Sequence, residues 1–149
     1  MTNSIQGVYF STGLEAVNWA DAVTLFERAP LGSQQRDPGK LKRAFEASYA
    51  VVVAYDSDKL IGMGRALSDG EYQTVIYDMV VLPEYQGKGI GKKIIEKLCE
   101  QLSVENIILY SVPGREGFYL KCGFKRMRTA MAKLNQYMSE SDSGYLQNT

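Results

Sequence analysis

The sequence contains no histidine among its 149 residues. This absence excludes Ser-His-Asp and Cys-His nucleophile systems, HExxH metal sites and any imidazole general base. A reaction catalysed by this chain would have to move its protons through carboxylates, tyrosines or a chain of water molecules. The missing residue type therefore narrows the chemistry before any motif is considered.

Cysteine is scarce as well, with only Cys99 and Cys122 in the chain. They form no CxxC pair, so neither a zinc ribbon nor a disulfide framework is predicted, and we expect two buried thiols in a reducing compartment. No apolar run approaches the ~18 residues of a membrane span, and the first residues lack the basic and apolar regions of a signal peptide. The sequence therefore predicts a cytoplasmic protein with no membrane partner.

Net charge is also absent, because seventeen Lys and Arg residues face seventeen Asp and Glu residues. No global field draws the chain to nucleic acid or to an anionic membrane, so we expect neither partner. The length suits a single domain of about 150 residues, and no internal repeat or linker interrupts it. We predict one domain at residues 1–138 and a polar, flexible tail at residues 139–149.

Helical and strand patterns alternate along the chain. Asn18 and the Asp37-Pro38 pair are N-terminal signals for two helices, and Ile90 begins the apolar stripe of a third. The residues Pro30, Gly32 and Ser33 predict a loop between the first two helices. Runs typical of strands cover residues 7–11, 49–55, 59–68, 74–82 and 106–112. The order of the last elements, strand, helix and strand, predicts a right-handed parallel crossover in an α/β or α+β fold.

A glycine-rich segment, Gln86–Lys92, separates a buried strand from the third helix. Backbone N–H groups and the positive end of the helix converge there, and glycine lets phosphate oxygens approach the backbone. A Walker A loop would need a hydroxyl where Lys92 follows Gly91, and the dinucleotide fingerprint has a different glycine spacing. The segment therefore predicts a phosphate site of another kind.

The spacing Q-x-x-G-x-G after the strand ending Val81-Leu82-Pro83 resembles the acetyl-CoA pyrophosphate loop of the GNAT superfamily of N-acetyltransferases. Gly117–Phe124 resembles the second signature of that family, F-Y-x-K-x-G-F, at the expected distance. Leu60–Ala66 with Ser68-Asp69 is similar to the branch that contains plastid and cyanobacterial serotonin or lysine acetyltransferases. The resemblance implies a mixed, mostly antiparallel sheet of six to seven strands, a splayed parallel central pair and about four flanking helices.

The resemblance also implies a role for each matching residue, with acetyl-CoA as co-substrate and no metal. The backbone of Met79, Val80 and Val81 would pair with pantetheine, and an N–H there would stabilise the tetrahedral oxyanion. Tyr119 would be the general acid that protonates the departing thiolate. The pyrophosphate would lie on Gln86, Gly87, Lys88, Gly89, Ile90, Gly91 and Lys92. The side chains of Lys88 and Lys92 fit a solvated helix face equally well.

The general base is left open between two candidates. Asp78 is the only charged residue of an otherwise apolar strand, so its carboxylate is either the base or the centre of a structural hydrogen-bond network. Strict alternation along the strand would place Asp78 on the face opposite Tyr77 and Met79. A water relay past Tyr77 is the other route for the proton.

The reaction implied by the resemblance is direct attack of a primary amine, on a small molecule or a lysine, in a ternary complex. The other class of function that this loop suits is a non-catalytic acyl-CoA sensor. Five aromatic residues are candidates to line the acceptor site, namely Trp19, Phe26, Tyr49, Tyr72 and Tyr110. Exposed strand edges near the C-terminus make a homodimer a further expectation.

Overall fold

The computed structural model describes residues 7–29, 35–140 and 143–147. They form two compact units, one within Met1–Leu109 and the other within Tyr110–Thr149. The loop predicted at Pro30, Gly32 and Ser33 lies outside the described residues, as do residues 141–142 and 148–149 of the predicted tail. Among the described residues, no helix is both long and apolar enough to cross a membrane.

The first unit contains one sheet whose strands follow one another in chain order, β1 to β5. The first four strands form antiparallel pairs, and β5 pairs with β4 in parallel. The strands are β1 Val8–Ser11, β2 Ala50–Asp56, β3 Lys59–Ser68, β4 Thr74–Val81 and β5 Ile107–Ile108. Its helices are α1 Trp19–Arg28, α2 Pro38–Glu46 and α3 Ile90–Glu100, with a 3-10 turn at Pro83–Tyr85. The second unit holds α4 Glu116–Lys121 and α5 Gln136–Ser139.

The predicted helix starts are confirmed by their caps. The Asn18 carboxamide oxygen accepts hydrogen bonds from the N–H groups of Ala20 and Asp21, at 3.0 and 3.1 Å. A carboxylate oxygen of Asp37 accepts from the Lys40 N–H at 2.8 Å, and Pro38 occupies the first helical turn. Such caps satisfy donors that would otherwise lack partners at a helix start, which is why short polar residues fix these boundaries.

The sheet of the first unit is covered on both faces by helices. On one face, Ile94 and Leu98 of α3 are fully buried against β3, where two glycines leave room for the helix. On the other face, Leu25 of α1 and Phe45 of α2 are fully buried. Each such side chain contributes roughly 1.5–3 kcal/mol when it is removed from water. The core therefore holds the sheet rigidly between α3 and the α1–α2 pair.

Three details of the sheet differ from the sequence prediction. The described residues form five strands rather than six to seven, and β5 has only the residues Ile107–Ile108 of the predicted 106–112. The parallel pair therefore lies at the end of the strand order instead of at its centre. β4 is buried at Thr74, Ile76 and Val80 but half-buried at its other residues, although its apolar sequence had predicted two covered faces. The neighbouring β5 pairs with only the first two residues of β4.

Candidate active site

The strand β4 contains a bulge at Asp78 and Met79. Tyr77 lies opposite Arg65 of β3 and Val80 lies opposite Met63, so β4 advances by three residues where β3 advances by two. Asp78 lies at this bulge, and its φ of 55° is in the left-handed region that residues with a Cβ rarely adopt. The bulge changes the direction in which the backbone groups of β4 point.

Both carboxylate oxygens of Asp78 are engaged by arginines. Oδ2 accepts from Arg65 Nε at 2.6 Å, and Oδ1 accepts from an Arg36 guanidinium nitrogen at 3.0 Å. The side chains of Asp78 and Arg65 are only 10% and 16% exposed, so water screens their attraction weakly. Asp78 thus connects β4 both to β3 and to the residues that precede α2.

The two guanidinium groups are themselves restrained by aromatic rings. Arg65 lies 5.8 Å from the centre of the Phe45 ring and 5.6 Å from that of Tyr77, and Arg36 lies 4.9 Å from that of Phe26. Cation–π contacts of this kind are favourable and hold the planar group in place. Because Arg65 contacts both Tyr77 and Asp78, these two side chains share one side of the sheet.

The predicted alternation is therefore wrong for one neighbour of Asp78. The bulge brings the Asp78 carboxylate to the side of Tyr77, while the Met79 side chain lies on the opposite side, beside Gly64. A Cβ at Gly64 would come within 2.6 Å of the Met79 sulfur, which explains the glycine inside this strand. Period-two reasoning fails here because the extra residue shifts every later side chain by one position.

Among the described residues of the first unit, no strand pairs with the edge of β4 that faces away from β3 once β5 has ended. Pairing with β5 covers only Thr74 and Val75. The residues proposed to meet pantetheine, Met79, Val80 and Val81, all follow that point. This arrangement leaves one edge of β4 open to an extended molecule, because strand backbone groups seek hydrogen-bond partners along their edge.

The glycine-rich loop follows β4 after the turn Pro83–Tyr85. Gly87 and Gly89 have φ values of 75° and 85°, and a Cβ built on either would meet no described atom within 4 Å. Gly89 is the N-cap of α3, so the first N–H groups of the helix point out beyond it. This cradle, which side chains would fill, is the kind of backbone site that binds phosphate oxygens.

Side chains around the loop hold it to the sheet. Gln86 Nε2 donates to the Val81 carbonyl oxygen at 2.9 Å, which closes the turn between β4 and the loop. The Tyr85 hydroxyl donates to a carboxylate oxygen of Asp56 at the end of β2, and this bond raises the pKa of Tyr85. Glu84 accepts two hydrogen bonds from Arg28, at 2.8 and 3.0 Å. The amide of Gln86 contacts the protein backbone, and its predicted phosphate contact stays a prediction.

The two lysines of the loop are exposed. The Lys88 ammonium lies 5.5 Å from the centre of the Tyr85 ring, and Lys59 of β3 lies at the same distance from that ring. Two lysine ammonium groups therefore lie near the Tyr85 ring, next to the glycine cradle. Sequence reasoning did not identify Lys59, because it lies 27 or more residues before the loop and only the fold brings it there.

The second signature forms α4 in the second unit. The Tyr119 ring lies 5.0 Å from the Phe118 ring and 6.0 Å from the Phe124 ring, both at steep interplanar angles. Burial, with a smaller contribution from Cys122, raises the pKa of Tyr119 to about 12. The phenol therefore keeps its proton throughout the neutral pH range. Cys122 and Cys99 are half-buried rather than buried, which differs from the prediction.

The candidate acceptor residues fall into two groups. Trp19 and Phe26 pack on Phe45, with ring centres 5.8 and 6.4 Å apart, so they belong to the α1–α2 layer. The remaining three are exposed, and Tyr110 lies in the second unit. They are Tyr49, Tyr72 and Tyr110. Among the described contacts, Phe26 is the one of these five residues that touches an arginine bound to Asp78, because its ring lies under Arg36.

Comparison with known proteins identifies the family. The family model of the Acetyltransferase (GNAT) domain matches residues 47–126, which is more than half of the chain. The chain belongs to the GNAT acetyltransferase family. It is 38% identical over 101 residues to GCN5-related N-acetyltransferase 1, chloroplastic, of Arabidopsis thaliana, covering 64% of this chain and 51% of that protein. It is 33% identical over 128 residues to Serotonin N-acetyltransferase 2, chloroplastic, of Oryza sativa subsp. japonica, covering 81% and 62%.

Solved structures give the same result for the fold. A proposed acetyltransferase from Deinococcus radiodurans R1 superimposes with a TM-score of 0.75 at 26% identity, covering 99% of this chain and 100% of that one. A GNAT family protein from Streptococcus pneumoniae TIGR4 shares the fold with a TM-score of 0.72, covering 87% and 98%. The family predicted from the two sequence motifs is confirmed, whereas the chain spans only about half to two thirds of the two curated relatives.

Proposed function

We propose that this protein is an acetyl-CoA-dependent N-acetyltransferase that moves an acetyl group to a primary amine. The observation that carries the proposal is the glycine cradle at Gly87 and Gly89, which follows directly on the open, bulged edge of β4. The cradle suits a pyrophosphate and the strand edge suits the amides of pantetheine, in the order that one acyl-CoA molecule presents them.

The donor would be held mainly by backbone groups. The N–H groups from Gly87 to Gly91 would bind the pyrophosphate, with Lys88 and Lys92 adding positive charge. Met79, Val80 and Val81 would pair with pantetheine as a further strand would. Gln86 serves this arrangement indirectly, because its hydrogen bond to the Val81 carbonyl oxygen sets the path of the chain between strand and loop.

In the reaction, the neutral amine nitrogen attacks the thioester carbonyl carbon and forms a tetrahedral intermediate. A backbone N–H at the bulge stabilises its oxyanion, an effect worth about 3–4 kcal/mol in other acyl-transfer enzymes. The carbon–sulfur bond then breaks, and Tyr119 donates a proton to the thiolate of CoA as it leaves. The attacking nitrogen, which is positively charged after the addition, releases its extra proton to water, and water returns a proton to the Tyr119 phenolate. Tyr119 carries its proton at neutral pH, as this role requires, while burial raises its pKa to about 12 and so makes it a weaker acid than an exposed tyrosine.

The proton released by the acceptor ammonium needs a route of its own. A primary ammonium with a pKa of about 10 is mostly charged at neutral pH. Both oxygens of the Asp78 carboxylate already accept hydrogen bonds from Arg65 and Arg36, which favours a structural role for Asp78. We therefore favour water that passes Tyr77 as the acceptor of this proton.

The acceptor is proposed as a small-molecule amine or a protein lysine. The name of the Oryza relative, Serotonin N-acetyltransferase 2, makes serotonin a reasonable first member of an amine panel. We further propose a cytoplasmic location and a homodimer. The dimer is suggested by the two edge strands of the sheet, β1 and β5, and light scattering during size-exclusion chromatography would test it.

Two measurements test the proposed function. Isothermal titration with acetyl-CoA should show binding, and release of the CoA thiol should follow when a panel of amines is added. Binding without release from any amine would instead favour an acyl-CoA sensor. Failure to bind acetyl-CoA would contradict both functions, since each depends on the glycine cradle.

A further inference from the structure

Asp78 adopts an unusual backbone conformation in the middle of a strand. Only Ser57 and Asp78 have positive φ among the described residues other than glycine. Ser57 lies in the turn between β2 and β3, where left-handed backbone is common. Asp78 lies within β4, with the strand continuing on both sides. Such a conformation persists only where the surrounding structure holds it in place.

Three observations indicate what holds it. Each oxygen of the Asp78 carboxylate accepts a hydrogen bond from a different arginine, at 2.6 Å from Arg65 and 3.0 Å from Arg36. Arg65 comes from β3, and it also approaches the Ser48 hydroxyl after α2 at 3.4 Å. Arg36 precedes α2 and lies over the Phe26 ring of α1. Charge-assisted bonds of this kind are the strong class of hydrogen bond.

The φ angle of Asp78 determines the orientation of the next peptide groups. The bulge sends the Met79 side chain toward Gly64 and brings Val80 back into register with Met63. The N–H groups of Met79 and Val80 therefore point in directions that a regular strand would not give them. Oxyanion donors act only when they are held within about 0.5 Å of the productive position.

We propose that Asp78 is a positioning residue, whose carboxylate, held by Arg65 and Arg36, fixes the bulge of β4 and with it the N–H groups that meet the reacting thioester. This inference rests on the acetyltransferase function proposed above. It assigns the carboxylate a structural role, so the proton of the acceptor amine does not leave through Asp78. It also gives Arg65, which lies outside the pyrophosphate loop and the second signature, a part in turnover.

The test compares Arg65→Met with Asp78→Asn. Asparagine tolerates the left-handed conformation but lacks the charge, and methionine removes the guanidinium while leaving Asp78 intact. Lys42→Met is the matched control, because it removes a surface ion pair with Glu46 on α2. For each variant, kcat would be measured across pH, acetyl-CoA affinity by titration, and amide hydrogen exchange in a peptide that covers residues 75–82.

We expect Arg65→Met and Asp78→Asn each to lower kcat by about tenfold while the acetyl-CoA Kd changes by less than about threefold. The double variant should be no more than about twofold slower than either single variant, because both changes break one network. Amide exchange at the bulge should rise about tenfold in both, and the pH dependence of kcat should keep its shape. Lys42→Met should match the unmodified protein, and Arg65→Lys should recover part of the rate.

Two results would overturn the proposal. One is loss of a limb of the pH profile in Asp78→Asn with an unchanged kcat in Arg65→Met, which would make Asp78 the general base. The other is unchanged amide exchange at the bulge in both variants. If the unmodified protein acetylates no amine, the proposed function fails, yet the exchange experiment still decides whether the arginines hold the bulge.

Discussion

The glycine loop and the β4 bulge both use left-handed backbone, but they reach it with different residues. In the loop, Gly87 and Gly89 have φ values of 75° and 85°, and open space lies where their side chains would be. In the bulge, Asp78 has a φ of 55° and a side chain tied to two arginines. The left-handed backbone of the loop is thus free of side-chain contacts, whereas that of the bulge is held by the ion pairs of the Asp78 side chain.

The difference indicates two separate tasks. A loop without Cβ atoms gives a ligand access to backbone N–H groups, so substitutions there should weaken acetyl-CoA binding. A braced bulge fixes the direction of backbone groups, so substitutions around it should slow turnover more than they weaken binding. Predictions that separate Kd from kcat can therefore test the comparison.

The largest effect is expected outside both regions, at Tyr119. Tyr119→Phe keeps the ring and its packing on Phe118 and Phe124 but removes the proton donor. We expect kcat to fall by about 100-fold with little change in Kd, in the range found for general acid catalysis. Steady-state kinetics with titration of acetyl-CoA would measure both. Tyr9→Phe, at a half-exposed tyrosine of β1, is the control; an unchanged kcat in Tyr119→Phe would remove Tyr119 from the mechanism.

The next effect should come from the cradle itself. Gly89→Ala places a Cβ on left-handed backbone, at a cost of about 1–2 kcal/mol, and into the space proposed for phosphate. We expect the acetyl-CoA Kd to rise by about tenfold or more. Gly70→Ala imposes similar strain at a φ of 74° in the turn between β3 and β4, so it should lower stability without changing Kd. Equal Kd values for the two variants would contradict the claim that the glycine loop binds acetyl-CoA.

A smaller effect is expected where the loop joins the strand. Gln86→Leu removes the hydrogen bond to the Val81 carbonyl oxygen, which is worth about 0.5–1.5 kcal/mol. We expect the Kd for acetyl-CoA to rise by about threefold. Gln101→Leu is the matched control, since Gln101 donates to the carbonyl oxygen of Val51 away from the loop. A larger rise of the acetyl-CoA Kd in Gln101→Leu than in Gln86→Leu would argue against a role of the Gln86 hydrogen bond in binding.

The smallest change concerns the titration of Tyr119. Because burial raises its pKa to about 12, the unfolded chain releases this proton at lower pH than the folded protein does. Tyr119 therefore contributes no pH dependence to stability below about pH 10, and its contribution falls as the pH rises from about 10 to about 12. Ultraviolet titration of the folded protein against Tyr119→Phe should show one phenol missing near pH 12. A phenol missing near pH 10 would contradict the burial.

The elements that local chemistry specifies could be predicted from the sequence. Caps at Asn18 and Asp37 mark helix starts with short polar residues, and the glycines of the loop follow an apolar strand. The two family signatures added the order of the remaining elements. These features depend on neighbours within a few residues, and such patterns are visible in a single sequence.

The arginines that hold the bulge could not be predicted in the same way. Arg65 and Arg36 lie 13 and 42 residues from Asp78 along the chain, and only the register of β3 with β4 brings the first of them alongside. The left-handed residue of the bulge is Asp78 and not a glycine, so no glycine in β4 marks the extra residue. Strict alternation therefore placed Asp78 on the face opposite Tyr77, which is wrong. The one available signal was a lone carboxylate in an apolar strand, which pointed to Asp78 but not to its partners.

The central claim is acetyl transfer from acetyl-CoA to an amine, and mass spectrometry of the acceptor tests it most directly. The protein would be incubated with acetyl-CoA and a panel of amines that includes serotonin and a lysine peptide, with Tyr119→Phe in parallel. We predict that at least one amine gains an acetyl group with the unmodified protein and gains it far more slowly with the variant. An acetyl-CoA-saturated protein that acetylates no amine, or a variant as fast as the unmodified protein, would contradict the account.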